Sequence, residues 1–298
     1  MTARRPVALR RSWLFCAGLD ERAQQAALDS RPDVLVADLE EFTAPADRLQ
    51  ARPRVAALMA RCRALGTVAA VRINRLAGDG LDDLRGVMPG APDAVFLPQV
   101  QAADEITALA RALDSIEAEL GLPAGSTEIV PTIESALGIV RVQAILAASE
   151  RISACLLAAE DLTADLGAER GPDSVELNHL RSRFLVECRA AGRMAIDCPF
   201  NYRDPQALAA DLAWARRIGL KAKCTVFPAQ VAAVHAALTP SDESVQRAEE
   251  MVLRFEAGTG QAVEGPDYRT ARRLLARADE FRTWAAQARA SSPRGEQP

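Results

Sequence analysis

The sequence predicts an α/β fold, a (β/α)₈ TIM barrel followed by a C-terminal helical extension, and three observations carry that prediction. Eight apolar runs rich in β-branched residues alternate with segments of helical spacing. Six of the runs end in a charged or amide residue where the next helix should begin, as expected where chemistry sits at the carboxyl ends of parallel strands. No Gly-x-Gly-x-x-Gly follows the first run, which argues against an open dinucleotide-binding sheet.

The elements follow in order. Strands are expected at about 12–17, 33–38, 67–73, 94–98, 128–133, 153–159, 193–197 and 220–226, each a short apolar run of strand length. The intervening helices include Ala46 to Ala64, Ala102 to Leu120, Ser135 to Ala148, Ser174 to Ala191 and Pro205 to Arg217. Each opens with a cap-like residue or a proline near its first turn. The barrel therefore spans residues 1–238. Beyond it come helices without strands: Ser241 to Ala257, a turn at Gly258-Thr259-Gly260, and Pro266 to Arg289. This extension, residues 239–289, should pack on its own barrel or on a neighbouring one, and 290–298 has the composition of a disordered tail.

The totals narrow the function. At 298 residues with 49% hydrophobic content the chain can bury a substantial core. A net charge of −4 without a clustered basic face gives no footprint for nucleic acid. No segment approaches the roughly 20 apolar residues of a membrane span, and the short apolar run after Arg10-Arg11 is broken by Asp20-Glu21-Arg22, unlike a signal peptide. The six cysteines are scattered without a Cys-x-x-Cys pair, which points to a reduced cytoplasm.

The polar strand ends supply the candidate site. Glu134 and Asp161 end the fifth and sixth runs, so their carboxylates should be neighbours on the barrel rim. Two carboxylates without histidine or thiolate nearby suit an oxygen-loving cation, Mg²⁺ or Mn²⁺; the alternative is that each caps the following helix. Arg72 ends the third run, where a guanidinium can hold the carboxylate of an α-keto acid in two parallel hydrogen bonds, or pair with Asp38 or Glu40 on the second. Asp38 and Glu40 share one side of their run and can hold metal-bound water, or form a solvated acidic helix entry. Asp197, at the end of the seventh run, completes the ring. His179 and His235 fall inside predicted helices and read as surface or packing residues, which disfavours a hydrolase triad and a zinc site.

Seven segments, in order, resemble the HpcH/HpaI aldolase and citrate lyase β-subunit family. They are Arg11-Ser-Trp-Leu-Phe15, Ala37-Asp-Leu-Glu-Glu41, Val71-Arg-Ile-Asn74, Leu97-Pro-Gln-Val100, Ile133-Glu-Ser135, Ala159-Glu-Asp-Leu162 and Ala195-Ile-Asp197. The resemblance covers nearly the whole chain. It implies a (β/α)₈ barrel assembled as a homotrimer or homohexamer, with Mg²⁺ on Glu134 and Asp161 and a short keto acid (oxaloacetate, glyoxylate or pyruvate type) on Arg72. The implied reaction cleaves or forms a carbon–carbon bond beside a carbonyl, with an acyl-CoA thioester or other enolisable partner as the second fragment. Ala262-Val-Glu-Gly-Pro266 is similar to a segment whose aspartate acts as an acid/base from the adjacent subunit, which puts Glu264 in that role. The departures concern the second substrate: Ala17-Gly18 replaces Pro-Gly, Gln99 replaces a lysine, and Phe227 replaces a histidine in Lys223-Cys-Thr-Val-Phe227-Pro-Ala-Gln230. The expected activity is therefore a metal-dependent carbon–carbon lyase, the alternatives being a non-catalytic metal- and keto-acid-binding homologue and a CoA-independent hydroxy-keto-acid aldolase.

Overall fold

The computed structural model describes residues 4–258 and 265–291. Eight parallel strands close into a barrel in sequence order, β1 (Ser12–Ala17), β2 (Val34–Asp38), β3 (Val68–Arg72), β4 (Ala94–Leu97), β5 (Glu128–Ile133), β6 (Ala154–Leu157), β7 (Met194–Asp197) and β8 (Ala222–Thr225), with β8 pairing back on β1. Helices alternate with them: α1 (Glu21–Asp29), α2 (Arg48–Ala64), α3 (Gly80–Val87), α4 (Ala103–Leu120), α5 (Ala136–Leu146), α6 (Ala159–Leu166), α7 (Asn178–Ala190), α8 (Pro205–Ile218) and α9 (Val231–Leu238). The predicted barrel is the observed one. The sixth strand is shorter than its apolar run: helix begins at Ala159, so Glu160 and Asp161 occupy the first turn of α6 instead of a strand end.

Strand alternation divides the core in two. Trp13, Phe15, Val34, Val36, Val68, Ala70, Ala94, Phe96, Val130, Ala154, Leu156, Ile196, Ala222 and Cys224 fill the barrel interior. Their alternates, among them Leu14, Leu35, Val71, Val95, Ile129 and Leu157, pack under the helices. Inside, Phe96 receives Trp13 and Phe15 edge-on, with centroids 5.7 and 5.4 Å away, a favoured geometry for aromatic pairs. All six cysteines are buried as free thiols.

Two local choices fix the helix layer. Gly90, after α3, lies so close to α2 that a Cβ there would stand 2.4 Å from the Ala56 carbonyl oxygen. Asp20, Ser135 and Asp204 cap α1, α5 and α8 by accepting from the first free N–H groups.

After α9 the chain forms α10 (Asp242–Glu256) and α11 (Gly265–Ser291). These pack on each other through Ala248, Val252 and Ala271, with the Phe255 and Tyr268 rings stacked at 4.2 Å. Further along, α11 lies against the start of its own chain: Arg277 Nη1 donates to the Ala8 carbonyl at 2.5 Å, and the Arg11 and Arg5 guanidiniums sit over Phe281 and Trp284. Among the described residues no helix is long and apolar enough to cross a membrane.

Candidate active site

Alternation decides which polar strand ends enter the barrel mouth. Asp38 and Arg72 fall two residues after the inward Val36 and Ala70, so both project inward, and they are direct partners in the β2–β3 register. Asp38 is fully buried and takes Arg72 in a fork, Nε to Oδ1 at 2.7 Å and Nη2 to Oδ2 at 2.5 Å. The turn after β2 holds the carboxylate from the other side, since the backbone N–H groups of Glu40 and Phe42 donate to Oδ1 and Oδ2. Arg72 Nη1 lies 2.9 Å from Glu40 and Nη2 lies 3.4 Å from the exposed Glu41. The Phe15 and Phe42 rings flank the guanidinium at 5.2 and 5.9 Å. Burial alone would lower the Arg72 pKa, but the surrounding carboxylates raise it, so the group is a fixed cation.

Glu134 lies one residue past β5, buried, with the same parity as the inward Val130. Its Oε1 accepts from the backbone N–H of Gln99, a contact made possible by the left-handed backbone of Gln99 (φ 55°) after β4. Burial pushes the Glu134 carboxyl up to about 8; the Gln99 N–H and Arg72 oppose that shift, while Asp161 and Glu40 add to it. Glu40 is raised for the same reasons, burial first, with Arg72 opposing and Asp161 contributing. Glu40, Glu134 and Asp161 therefore share one electrostatic neighbourhood, with Arg72 beside it. Among the described residues no group of three or more histidine, cysteine, aspartate or glutamate side chains is placed to hold a metal ion. Glu134 and Asp161 offer carboxylate oxygens alone, the donor type that suits a hard cation completed by water or ligand oxygens.

Asp197 takes a different place. It follows the inward Ile196, so its side chain faces the helix layer, 1% exposed, and is not beside Arg72. Arg181 of α7 grips it with Nε at 2.8 Å and Nη2 at 2.6 Å, and Lys223 of β8 lies 2.9 Å away. Asp211 of α8 completes the group at 2.8 Å from Arg181 and 2.7 Å from Lys223. Burial would raise the Asp197 carboxyl, but Lys223 and Arg181 bring it down to about 2. Glu264 lies outside the described residues. His179 is exposed, and His235 contacts Ser12 at the start of β1, the opposite end of the barrel.

Two contributors had no local signal in the sequence. The Gln99 N–H becomes a ligand of Glu134 through its backbone conformation, and Arg181 is one arginine among many, marked only by meeting Asp197 in three dimensions. Gln230, which ends the family-like segment beginning at Lys223, is buried after β8, where it accepts from Thr225 and donates to the Phe200 and Tyr202 carbonyls, tying the loops after β7 and β8 together.

Comparison with known proteins finds the same arrangement of sequence. The sequence model for HpcH/HpaI aldolase/citrate lyase matches residues 11–228. The citrate lyase subunit beta of Haemophilus influenzae is 31% identical over 246 residues, 82% of this chain and 84% of that protein. The (3S)-malyl-CoA thioesterase of Cereibacter sphaeroides is 26% identical over 93% of this chain and 97% of its own length. The structure of CitE from Mycobacterium tuberculosis, solved in complex with magnesium, acetoacetate and coenzyme A, superposes with a TM-score of 0.74 at 28% identity, covering 92% of this chain and 99% of that one.

Proposed function

Since this chain belongs to the HpcH/HpaI aldolase/citrate lyase family, whose members include Mg²⁺-dependent carbon–carbon lyases, we propose that it is such a lyase or aldolase, acting between a short keto acid and an acyl-CoA or related enolisable partner. What supports this reading is that Arg72 ends β3, Glu134 follows β5 and Asp161 lies in the first turn of α6, all at the same end of the barrel. Magnesium accompanies a keto acid and coenzyme A in the M. tuberculosis relative. Here Glu134 and Asp161 would hold it, and when bound it would supply Lewis-acid polarisation of the keto-acid carbonyl.

The remaining steps belong to the chain's own residues. Asp38 orients Arg72 through Nε and Nη2, leaving Nη1, now on Glu40, as the N–H that a substrate carboxylate takes over. Glu40 is partly exposed, 21% at the side chain, which leaves Nη1 open to that exchange. The enolisable carbon of the partner needs a group that gives or takes a proton. By its resemblance to the family's acid/base aspartate, Glu264 would take that role, supplied by a neighbouring subunit of a homotrimer or homohexamer.

A steady-state assay tests the proposal. Turnover of malyl-CoA, citramalyl-CoA or a hydroxy-keto acid that disappears in Asp161→Asn supports it, and a wild-type protein inactive on all three contradicts it. A second reading, a homologue that binds metal and keto acid without turnover, is favoured by Gln99 and Phe227, which stand where the family carries a lysine and a histidine. The same assay decides between the two.

A further inference from the structure

The loops after β6, β7 and β8 carry charges and rings that the chemistry above does not use. Gln230 holds two of these loops together, through its bonds at 3.0 and 3.1 Å to the carbonyls of Phe200 and Tyr202 and at 2.8 Å to Thr225. The Phe200 and Tyr202 rings meet edge-on at 5.4 Å. Asn201 Nδ2 donates to Glu160 at 2.8 Å, which latches the β7 loop to the residue preceding Asp161. This framework sets Arg203 over the ring of Phe227, 4.6 Å from its centroid. Phe227 is itself held by its N–H to Thr225 Oγ1 and by the proline that follows.

Phe227, which in sequence looks like the loss of a polar group, thus brings a cation to the mouth. The neighbouring Arg170, over Tyr202, is committed to Glu160 and Glu176. Arg203 is exposed and pairs with no acid among the described residues. The other side of the mouth is rich in acids, with Glu40, Glu41, Glu134 and Asp161. A second anionic group, beyond the one that Arg72 and the cation would receive, is repelled there and attracted to the β7–β8 side.

We propose that Arg203, backed by Phe227, is a specificity-determining residue that takes an anionic group of the second substrate, a phosphate or a carboxylate. A guanidinium stacked on an aromatic face is pre-oriented for fork-like hydrogen bonds to such groups. The proposal rests on the reading of this mouth as a two-substrate site.

Calorimetric titration in the presence of Mg²⁺ and pyruvate tests it, with coenzyme A, its phosphate-free fragment pantetheine, and succinate as probes. Arg203→Ala should weaken the anionic probe by about tenfold or more, Arg203→Lys should recover part of the loss, and pantetheine should not respond. Phe227→Leu should weaken the same probe by about threefold through loss of the stacked face. A loss confined to coenzyme A identifies the group as a phosphate, and a loss confined to succinate identifies a carboxylate. The proposal is overturned if Arg203→Ala leaves both anionic probes within twofold of wild type, if pantetheine weakens equally, or if wild type binds neither anion. Pyruvate and Mg²⁺ are titrated separately. If wild type fails to bind them while coenzyme A still depends on Arg203, the lyase reading falls and the anion site stands.

Discussion

At Arg72, Asp38 receives two N–H groups in a buried fork while Glu40 and Glu41 share the rest. Replacing the arginine with methionine leaves the Asp38 charge buried and unpaired, which should cost about 3–5 kcal/mol in urea unfolding, along with keto-acid binding. A lysine there keeps the charge but cannot reproduce the fork, so Arg72→Lys should retain more stability than Arg72→Met yet bind keto acid more weakly than wild type. Much of this group was legible from the residue pattern. Asp38 and Arg72 share parity with inward residues of their strands, and Glu134 continues that of β5. The same alternation separates Asp197, one residue beyond the inward Ile196, from a ring that strand-end position alone would have it join. The Gln99 N–H was not legible, because no side-chain identity encodes a left-handed backbone at a glutamine.

The ion group Asp197–Arg181–Lys223–Asp211 joins two strands to two helices and is almost wholly buried. Removing one member strands the others, so Asp197→Ala should lose about 3–5 kcal/mol of unfolding free energy while the folded protein binds Mg²⁺ and keto acid as wild type does. A selective loss of keto-acid affinity with unchanged stability would assign Asp197 to the substrate instead. Gly90→Ala forces a methyl against the Ala56 carbonyl and should cost about 1–3 kcal/mol, read as a lower urea midpoint. Strand number and order were clear in the sequence because each run is short, apolar and followed by helical spacing. The end of β6 was not, since Ala158-Ala159 continues an apolar run equally well as strand or as helix start, and alanine favours the helix.

For the molecule as a whole, closure of the barrel brings residues from β2, β3, β5 and α6 to one end, while buried acids brace the rest. Asp33 and Glu128, at the opposite end, have burial overcome by arginines, and Asp197, in the helix layer, by Lys223 and Arg181, so all three carboxyls lie below their ordinary values. A depressed folded pKa contributes stability above the unfolded value of about 4 and loses it as pH falls through the folded one. Unfolding free energy should therefore be near its plateau, with respect to these groups, at pH 6 and fall progressively below about pH 4, as urea titrations at pH 6 and pH 3 would show. The proposed chemistry requires Glu134 and Asp161 together to hold the cation that anchors a keto acid beside Arg72. Calorimetric titration of Mg²⁺ and oxaloacetate into wild type, Glu134→Gln and Asp161→Asn tests it most directly. Mg²⁺-dependent oxaloacetate binding should appear in wild type and weaken by more than about tenfold in each variant, a loss of at least 1.4 kcal/mol. Variants that bind both ligands as wild type does would contradict it.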